Sequence, residues 1–156
     1  MSILVATPGR LTSDSMASAD GQPPWYGPKA WRMHGYLIGV AGACGRGDQR
    51  LECDRALWPE RPSTRALRAA VAKWPAGAGE NTTWIVVAAS AVWTIDGGYV
   101  YAQKFPCAIG CGAPWAYGRL SADPDLVAAV KIACANDPNC GGKIRDLRVT
   151  PPCSRL

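Results

Sequence analysis

The chain is poor in the residues that mark several large protein classes. It has one histidine, His34, and although it carries seven cysteines, no two of them form a C-x-x-C pair, which weighs against the zinc site that so many cysteines would otherwise suggest. There is no G-x-x-x-x-G-K-[ST] loop, which excludes a P-loop through which the chain itself would use ATP. The longest apolar stretch, "WIVVAASAVWTI", falls short of the roughly 20 residues needed to cross a bilayer. The first basic residue, Arg10, follows the apolar run "ILVA" instead of leading it, which is the reverse of a secretory signal. An odd cysteine count without an export signal points to intracellular thiols and hence to a cytoplasmic protein. No cofactor or resident metal is expected.

What is present reads as a globular chain: 156 residues, 48% hydrophobic and 19% charged, with 17 glycines and 13 prolines spread along it. That length suits a single domain, placed at residues 1–150 with a tail at 151–156. The net charge of +5 comes from scattered residues. The densest group, Arg61, Arg65, Arg68 and Lys73, has the spacing of a solvated helix face and no interleaved aromatics, which argues against a nucleic-acid partner.

Hydrophobic patterning divides the chain into blocks. "SILVA" and "RLTSDS" read as strands around the turn "TPG", and "KAWRM" and "YLIGVAG" as strands joined at His34-Gly35. Residues 43–57 read as one helix ending near Trp58-Pro59, and "STRALRAAVAKW" as a second, with Ser63 as its N-cap and Pro75 beyond its end. "TTWIVVAAS" and "AVWTIDGGYVYAQ" are strands, the latter turning at Asp96-Gly97-Gly98. Their near-continuous apolar runs predict burial on both faces. "FPCAIGCGAPWAYGRL" passes from strand to helix at Pro114, "DPDLVAAVKIACAND" is a helix with Asp123 as its cap, and "GGKIRDLRV" closes as a strand. Strands and helices grouped in blocks argue against a parallel α/β sheet and for two face-to-face sheets covered by helices.

The opening "MSILVATPGRLTSDS" admits two readings. Ser2 is either the ordinary second residue of a strand or, once an aminopeptidase removes Met1, a serine carrying a free α-amine. The later motifs bear on that choice. "SILVATPGRLTSDS" places Asp14-Ser15 where an "ADS"-type motif closes the first hairpin, and Lys29 precedes "AWRMHGYLIGVAG". Further on stand "AIGCGAPWAYG", which is similar to "AIGSG-PYA" running into a helix, and "NDPNCGGKI", which is similar to "DPYCGG" or "DAYSGG" before a final strand. In this order the motifs resemble the proteasome β-subunit and HslV peptidase family of N-terminal-nucleophile hydrolases, in particular its short bacteriophage-encoded members, over about residues 1–150.

The resemblance implies an α+β fold, the four-layer αββα sandwich, in agreement with the block order. It implies a peptidase-like amide hydrolase in which Ser2 is the nucleophile and its own α-amine, with an ordinary pKa of about 8, is the base. Lys29 would disfavour a second positive charge on that amine, Asp14 would hold Lys29, and the Gly42 N–H would stabilise the oxyanion. Cys111 stands where the family has a serine near the amine, and as a thiol it is a weak donor. Asp137 matches the acidic residue of the later motif and Cys140 its serine or cysteine. Because those two motifs converge in the family, Cys111 and Cys140 are expected close together, either as small residues packed below the site or as a pair able to form a reversible disulfide. Serine in place of the family's threonine lacks the methyl that restricts the rotamer, so slow peptide hydrolysis is expected.

As partners the resemblance implies further copies of the chain in a ring, a peptide or protein substrate, and a separate unfolding ATPase or cap. The location would be the host cytoplasm for a phage-encoded protein. The competing reading is a non-catalytic phage structural or interaction protein that keeps the fold.

Overall fold

The computed structural model describes residues 2–17, 25–44, 46–122 and 124–150. The first apolar run forms β1 (Ile3–Thr7), which turns through Pro8-Gly9 into β2 (Arg10–Ser13). β3 (Met16–Ala17) and β4 (Trp25–Tyr26) make a small antiparallel pair. β5 (Ala30–Met33) and β6 (Tyr36–Gly42) follow. His34 and Gly35, at φ 48° and 94°, form the two-residue turn between them, where both positions lie in the left-handed region.

Residues 43–57 do not form one helix. α1 covers Arg46–Cys53, and a separate single turn of 3-10 helix covers Arg55–Leu57. The break falls at Asp54, whose backbone is extended and whose side chain accepts the Ala56 N–H at 3.0 Å, so the aspartate recaps the chain instead of continuing the helix. α2 (Thr64–Val71) is capped by Ser63, whose hydroxyl accepts the Ala66 N–H at 3.2 Å.

β7 (Thr82–Val87), β8 (Val92–Asp96), β9 (Tyr99–Ala102) and β10 (Cys107–Gly110) come next, then α3 (Ala113–Leu120), α4 (Leu126–Asn136) and β11 (Arg145–Arg148). The cap of α4 is Asp125, which accepts the N–H groups of Val127 and Ala128 at 3.0 and 3.2 Å. Asp123, the cap expected from the sequence, lies outside the described residues, as does the tail at 151–156.

Apart from the β3–β4 pair, the strands assemble into two antiparallel sheets, one ordered β10-β1-β2-β11 and the other β5-β6-β7-β8-β9. Their facing sides enclose Leu4, Ala6, Leu11, Leu37, Ile85 and Val87. The other side of the first sheet presents Ile3 and Val5 to Leu126, Val130 and Ala133 of α4 and to Ala116 of α3. The far side of the second sheet packs Ile38, Trp84 and Val86 against Leu51 of α1 and Leu67 of α2. This is the four-layer αββα arrangement. It explains why "ILVA" and "WIVV" are unbroken apolar runs: each strand has a core on both faces, so the alternation of a half-wet strand never arises.

β9 departs from the expected burial, because three of its four residues are exposed. It is the edge of the sheet and has a neighbour on one side only. Within the outer core, Trp58, Trp74 and Trp84 meet with ring centroids 5.3–6.0 Å apart in edge and tilted contacts.

Replacing the α4 cap by Asp125→Ala is expected to lower unfolding free energy by about 1 kcal/mol. Urea denaturation checks this, and an unchanged midpoint would show that the cap contributes nothing.

Candidate active site

Ser2 immediately precedes β1 and is 5% exposed. The next residue is tied down from several directions by one carboxylate. Asp14 follows β2, and because β1 and β2 pair antiparallel with Leu4 opposite Ser13, the end of the hairpin returns to the beginning of the chain. Asp14 Oδ1 accepts the Ile3 N–H at 3.1 Å and Lys29 Nζ at 2.7 Å, while Oδ2 accepts the Gly141 N–H at 3.0 Å. Lys29 Nζ also donates to the Met16 carbonyl. Asp14 is fully buried and Lys29 nearly so. A buried ion pair persists only when its remaining hydrogen-bonding capacity is met, and these additional bonds meet it.

Gly42 ends β6 at φ +119°, where a Cβ would come within 2.3 Å of the Asn81 carbonyl oxygen, so only glycine fits there without displacing the backbone. Together with Ser2, Gly110 and Cys111 it borders a cleft of about 350 Å³. Facing Ser2, Gly110 and Cys111, the wall formed by the second sheet runs from Gly42 through Glu80, Asn81, Thr82 and Thr83 to Asp96. That wall is anchored by buried Asp48 of α1, which accepts from Gly79 N–H at 3.0 Å, Thr82 Oγ1 at 2.8 Å and Trp84 Nε1 at 3.2 Å. The hydroxyl of Thr83 donates to Asp96 Oδ1 at 3.2 Å, which turns this carboxylate along the wall.

Cys111 lies between β10 and α3. Its Sγ is 3.5 Å from the Ser2 carbonyl oxygen, a weak donor contact, and 3.5 Å from Cys140 Sγ. Asp137 ends α4, and its Oδ1 accepts the backbone N–H and side-chain amide of Asn139 at 2.8 and 3.2 Å. Burial, followed by the neighbouring Asp137 carboxylate, pushes the Cys111 thiol up from its ordinary value. Cys140 is pushed up more strongly, by burial and by Cys111. For Asp137 burial is the largest single influence and acts upward, but the hydrogen bonds from Cys111, Asn139 and Cys140 together outweigh it and hold the carboxyl below its usual range. All six described cysteines are free thiols, Cys111 and Cys140 included.

The seven residues singled out in the sequence thus form one connected group. Asp14 joins Lys29 to the residue after Ser2 and to the residue after Cys140. Cys111 joins Ser2 to Cys140, and Gly42 faces Ser2 across the cleft. Sequence reasoning missed Asp48 and Glu80, which carry no local motif, and read Asp96 only as part of the turn Asp96-Gly97-Gly98. It also missed Gly110, although that glycine lies inside "AIGCG": at φ +100°, a Cβ there would stand 2.0 Å from the Ser2 carbonyl oxygen.

Solved structures of HslV- and proteasome-like proteins superpose on this αββα sandwich. The eukaryotic HslV from Trypanosoma brucei matches with a TM-score of 0.70 at 21% identity, covering 94% of this chain and 98% of its own. Thiobacillus denitrificans BPH, in a complex with epoxomicin, matches with a TM-score of 0.68 at 14% identity over 96% and 99%. The Gly-1 mutant of Anbu from Hyphomicrobium sp. strain MC1 matches with a TM-score of 0.65 at 14% identity over 97% and 88%. No protein-family model and no curated protein sequence matches the chain. The similarity therefore establishes a HslV- and proteasome-like fold.

Asp14→Ala, which leaves the Lys29 ammonium buried without its counter-ion, is expected to lower unfolding free energy by about 3–5 kcal/mol. Adding Lys29→Met to that variant should recover part of the loss. Chemical denaturation of the three proteins checks this, and a loss below about 1 kcal/mol for Asp14→Ala would remove the pair from its central place.

Proposed function

We propose that the chain is a peptidase-like amide hydrolase whose nucleophile is Ser2 after removal of Met1. The observation that carries this reading is the position of Ser2 at the cleft, one residue before the amide held by the buried Asp14–Lys29 pair. In this reading the Ser2 α-amine takes the Oγ proton, directly or through one water, as Oγ attacks the substrate carbonyl. The oxyanion is met by the Gly42 N–H, a donor on a backbone that sterics hold in place. The ammonium formed on the amine then protonates the leaving nitrogen, and a water activated by the same amine hydrolyses the ester on Ser2 Oγ. The Lys29 charge disfavours a premature proton on the amine and favours negative charge on Oγ. Cys111, Asp137 and Cys140 support the Ser2 end of the chain from below through the thiol contact to its carbonyl.

The cleft also suggests a substrate class. In a chain of net charge +5, the wall facing Ser2 carries the carboxylates of Glu80 and Asp96, which favours peptides with lysine or arginine near the scissile bond. The working form is a ring of several copies, with access controlled by a separate ATPase or cap. The exposed aromatics Tyr99, Tyr101, Phe105 and Trp115 supply surface for such packing. A bacteriophage origin with action in the host cytoplasm completes the reading. Among the described residues, no helix is long and apolar enough to cross a membrane.

Epoxomicin, the ligand of the BPH complex, serves as the probe. With Met1 removed, as verified by intact mass, incubation followed by peptide mass mapping should show one adduct joined to the Ser2 hydroxyl and amine, absent in Ser2→Ala. A chain that has lost Met1 yet takes no label would overturn the reading in favour of the non-catalytic protein.

For specificity, matched fluorogenic peptides should be cleaved with higher kcat/KM when arginine replaces leucine before the scissile bond. Glu80→Gln and Asp96→Asn should each reduce that preference about two- to five-fold, consistent with a solvent-screened charge pair. An unchanged ratio in both variants would eliminate the acidic wall as a determinant.

A further inference from the structure

Cys111, Asp137 and Cys140 bring three potential ligand atoms within 4.8 Å of one another. A tetrahedral zinc-type ion with bonds of about 2.3 Å to sulfur and 2.0 Å to oxygen sets two sulfurs about 3.8 Å apart and a sulfur and an oxygen about 3.5 Å apart. The two sulfurs here stand 3.5 Å apart, so a few tenths of an ångström separate the present thiol pair from the spacing of a bound ion.

The surroundings are also those of a metal site. Asn139 holds one oxygen of Asp137 with both its backbone and side-chain nitrogens, a second layer that orients the carboxylate. The turn is closed by the Cys140 N–H on the Asp137 carbonyl at 3.0 Å, which sets the two ligands of "DPNC" side by side. Gly112 packs so closely on Cys140 that a Cβ would lie 2.9 Å from its sulfur, which limits where that sulfur can move. Cys140 is buried, but Cys111 is partly exposed and borders the cleft, giving an ion a path from solvent.

We propose that Cys111, Asp137 and Cys140 bind one thiophilic divalent cation of the zinc class. Binding converts the two thiols to thiolates and releases two protons to solvent. The group carries one negative charge before, from the carboxylate, and one after, from a dication held by two thiolates and a carboxylate. Three protein ligands leave the fourth position to water. Occupancy also removes the thiol proton that Cys111 offers to the Ser2 carbonyl. On the reading of Ser2 as nucleophile, the ion is therefore a reversible inhibitor acting from beneath the site; the binding itself does not depend on that reading.

The test uses the full chain kept reduced with a phosphine and titrated with Co²⁺ alone. One Co²⁺ per chain should produce thiolate-to-cobalt charge-transfer absorption, and one equivalent of Zn²⁺ should bleach it. Cys111→Ser and Cys140→Ser should each weaken binding by about 100-fold and Asp137→Asn by about 10-fold, whereas Cys44→Ser and Cys53→Ser should leave it unchanged. In the wild-type chain, which needs no variant to fold, Zn²⁺ should protect Cys111 and Cys140 from alkylation and leave Cys53 open. Absence of the thiolate band, a band that survives in both Cys111→Ser and Cys140→Ser, or protection confined to other cysteines would each overturn the proposal. Epoxomicin labelling with and without Zn²⁺ then separates the two readings. Loss of label on adding Zn²⁺ supports both, and full label on a Zn²⁺-loaded chain overturns the inhibition. An unlabelled chain that binds Co²⁺ through these thiols refutes only the hydrolase.

Discussion

The geometry around Ser2 depends on a single buried carboxylate. Asp14 is fully buried, and its oxygens collect an ammonium and two backbone N–H groups from three separated parts of the chain: the start of β1, the segment before β5, and the turn after Cys140. An unpaired charge in that position would be strongly destabilising. The carboxylate is tolerated because Lys29 neutralises it, and Lys29 because Asp14 and the Met16 carbonyl accept its protons. Each group makes the other's burial possible, and together they hold the residue next to Ser2 in one place.

The layered packing delivers those three segments to the same spot. β1 lies inside its sheet with β10 on one side and β2 on the other, so the end of β10, the beginning of β1 and the end of β2 share one edge of the molecule. β6 of the facing sheet ends at the same edge, bringing Gly42 across the cleft, and its partner β7 begins there, bringing Glu80 to Thr83. Ser2, Asp14, Lys29, Gly42 and Cys111 thus sit at or just beyond the ends of strands, and the helices behind each sheet exclude water from those strands.

Much of the fold was legible because it rests on local signals. The unbroken apolar runs announced doubly covered strands, the glycine turns at Gly35 and Gly97-Gly98 announced hairpins, and Ser63 announced the start of α2. Local signals failed where two were equivalent. In "DPDL" either aspartate suits a cap, and the structure uses Asp125. Residues 43–57 carry Leu51 and Leu57 among polar positions and read as one helix, yet the Asp54 side chain accepts the Ala56 N–H and α1 ends before it. β9 was misjudged because its composition resembles that of its neighbour, while its exposure follows from being the last strand of a sheet.

The sequence alone determined most of the strands and helices and their grouping in blocks, since propensity and periodicity act along the chain, while the four-layer architecture and the choice of Ser2, Asp14, Lys29, Gly42, Cys111, Asp137 and Cys140 came from the resemblance of its motifs to a known family. Only the tertiary structure decided what those residues touch. The bonds from Asp14 span 11, 15 and 127 residues, and the Cys111–Cys140 contact spans 29. Glu80 has no local signature, and that of Asp96 is a turn signal that says nothing of the cleft both residues line. Contacts of that separation exist only once the sheets have closed on each other, because their distances are set by which strands share an edge and not by the residues between them.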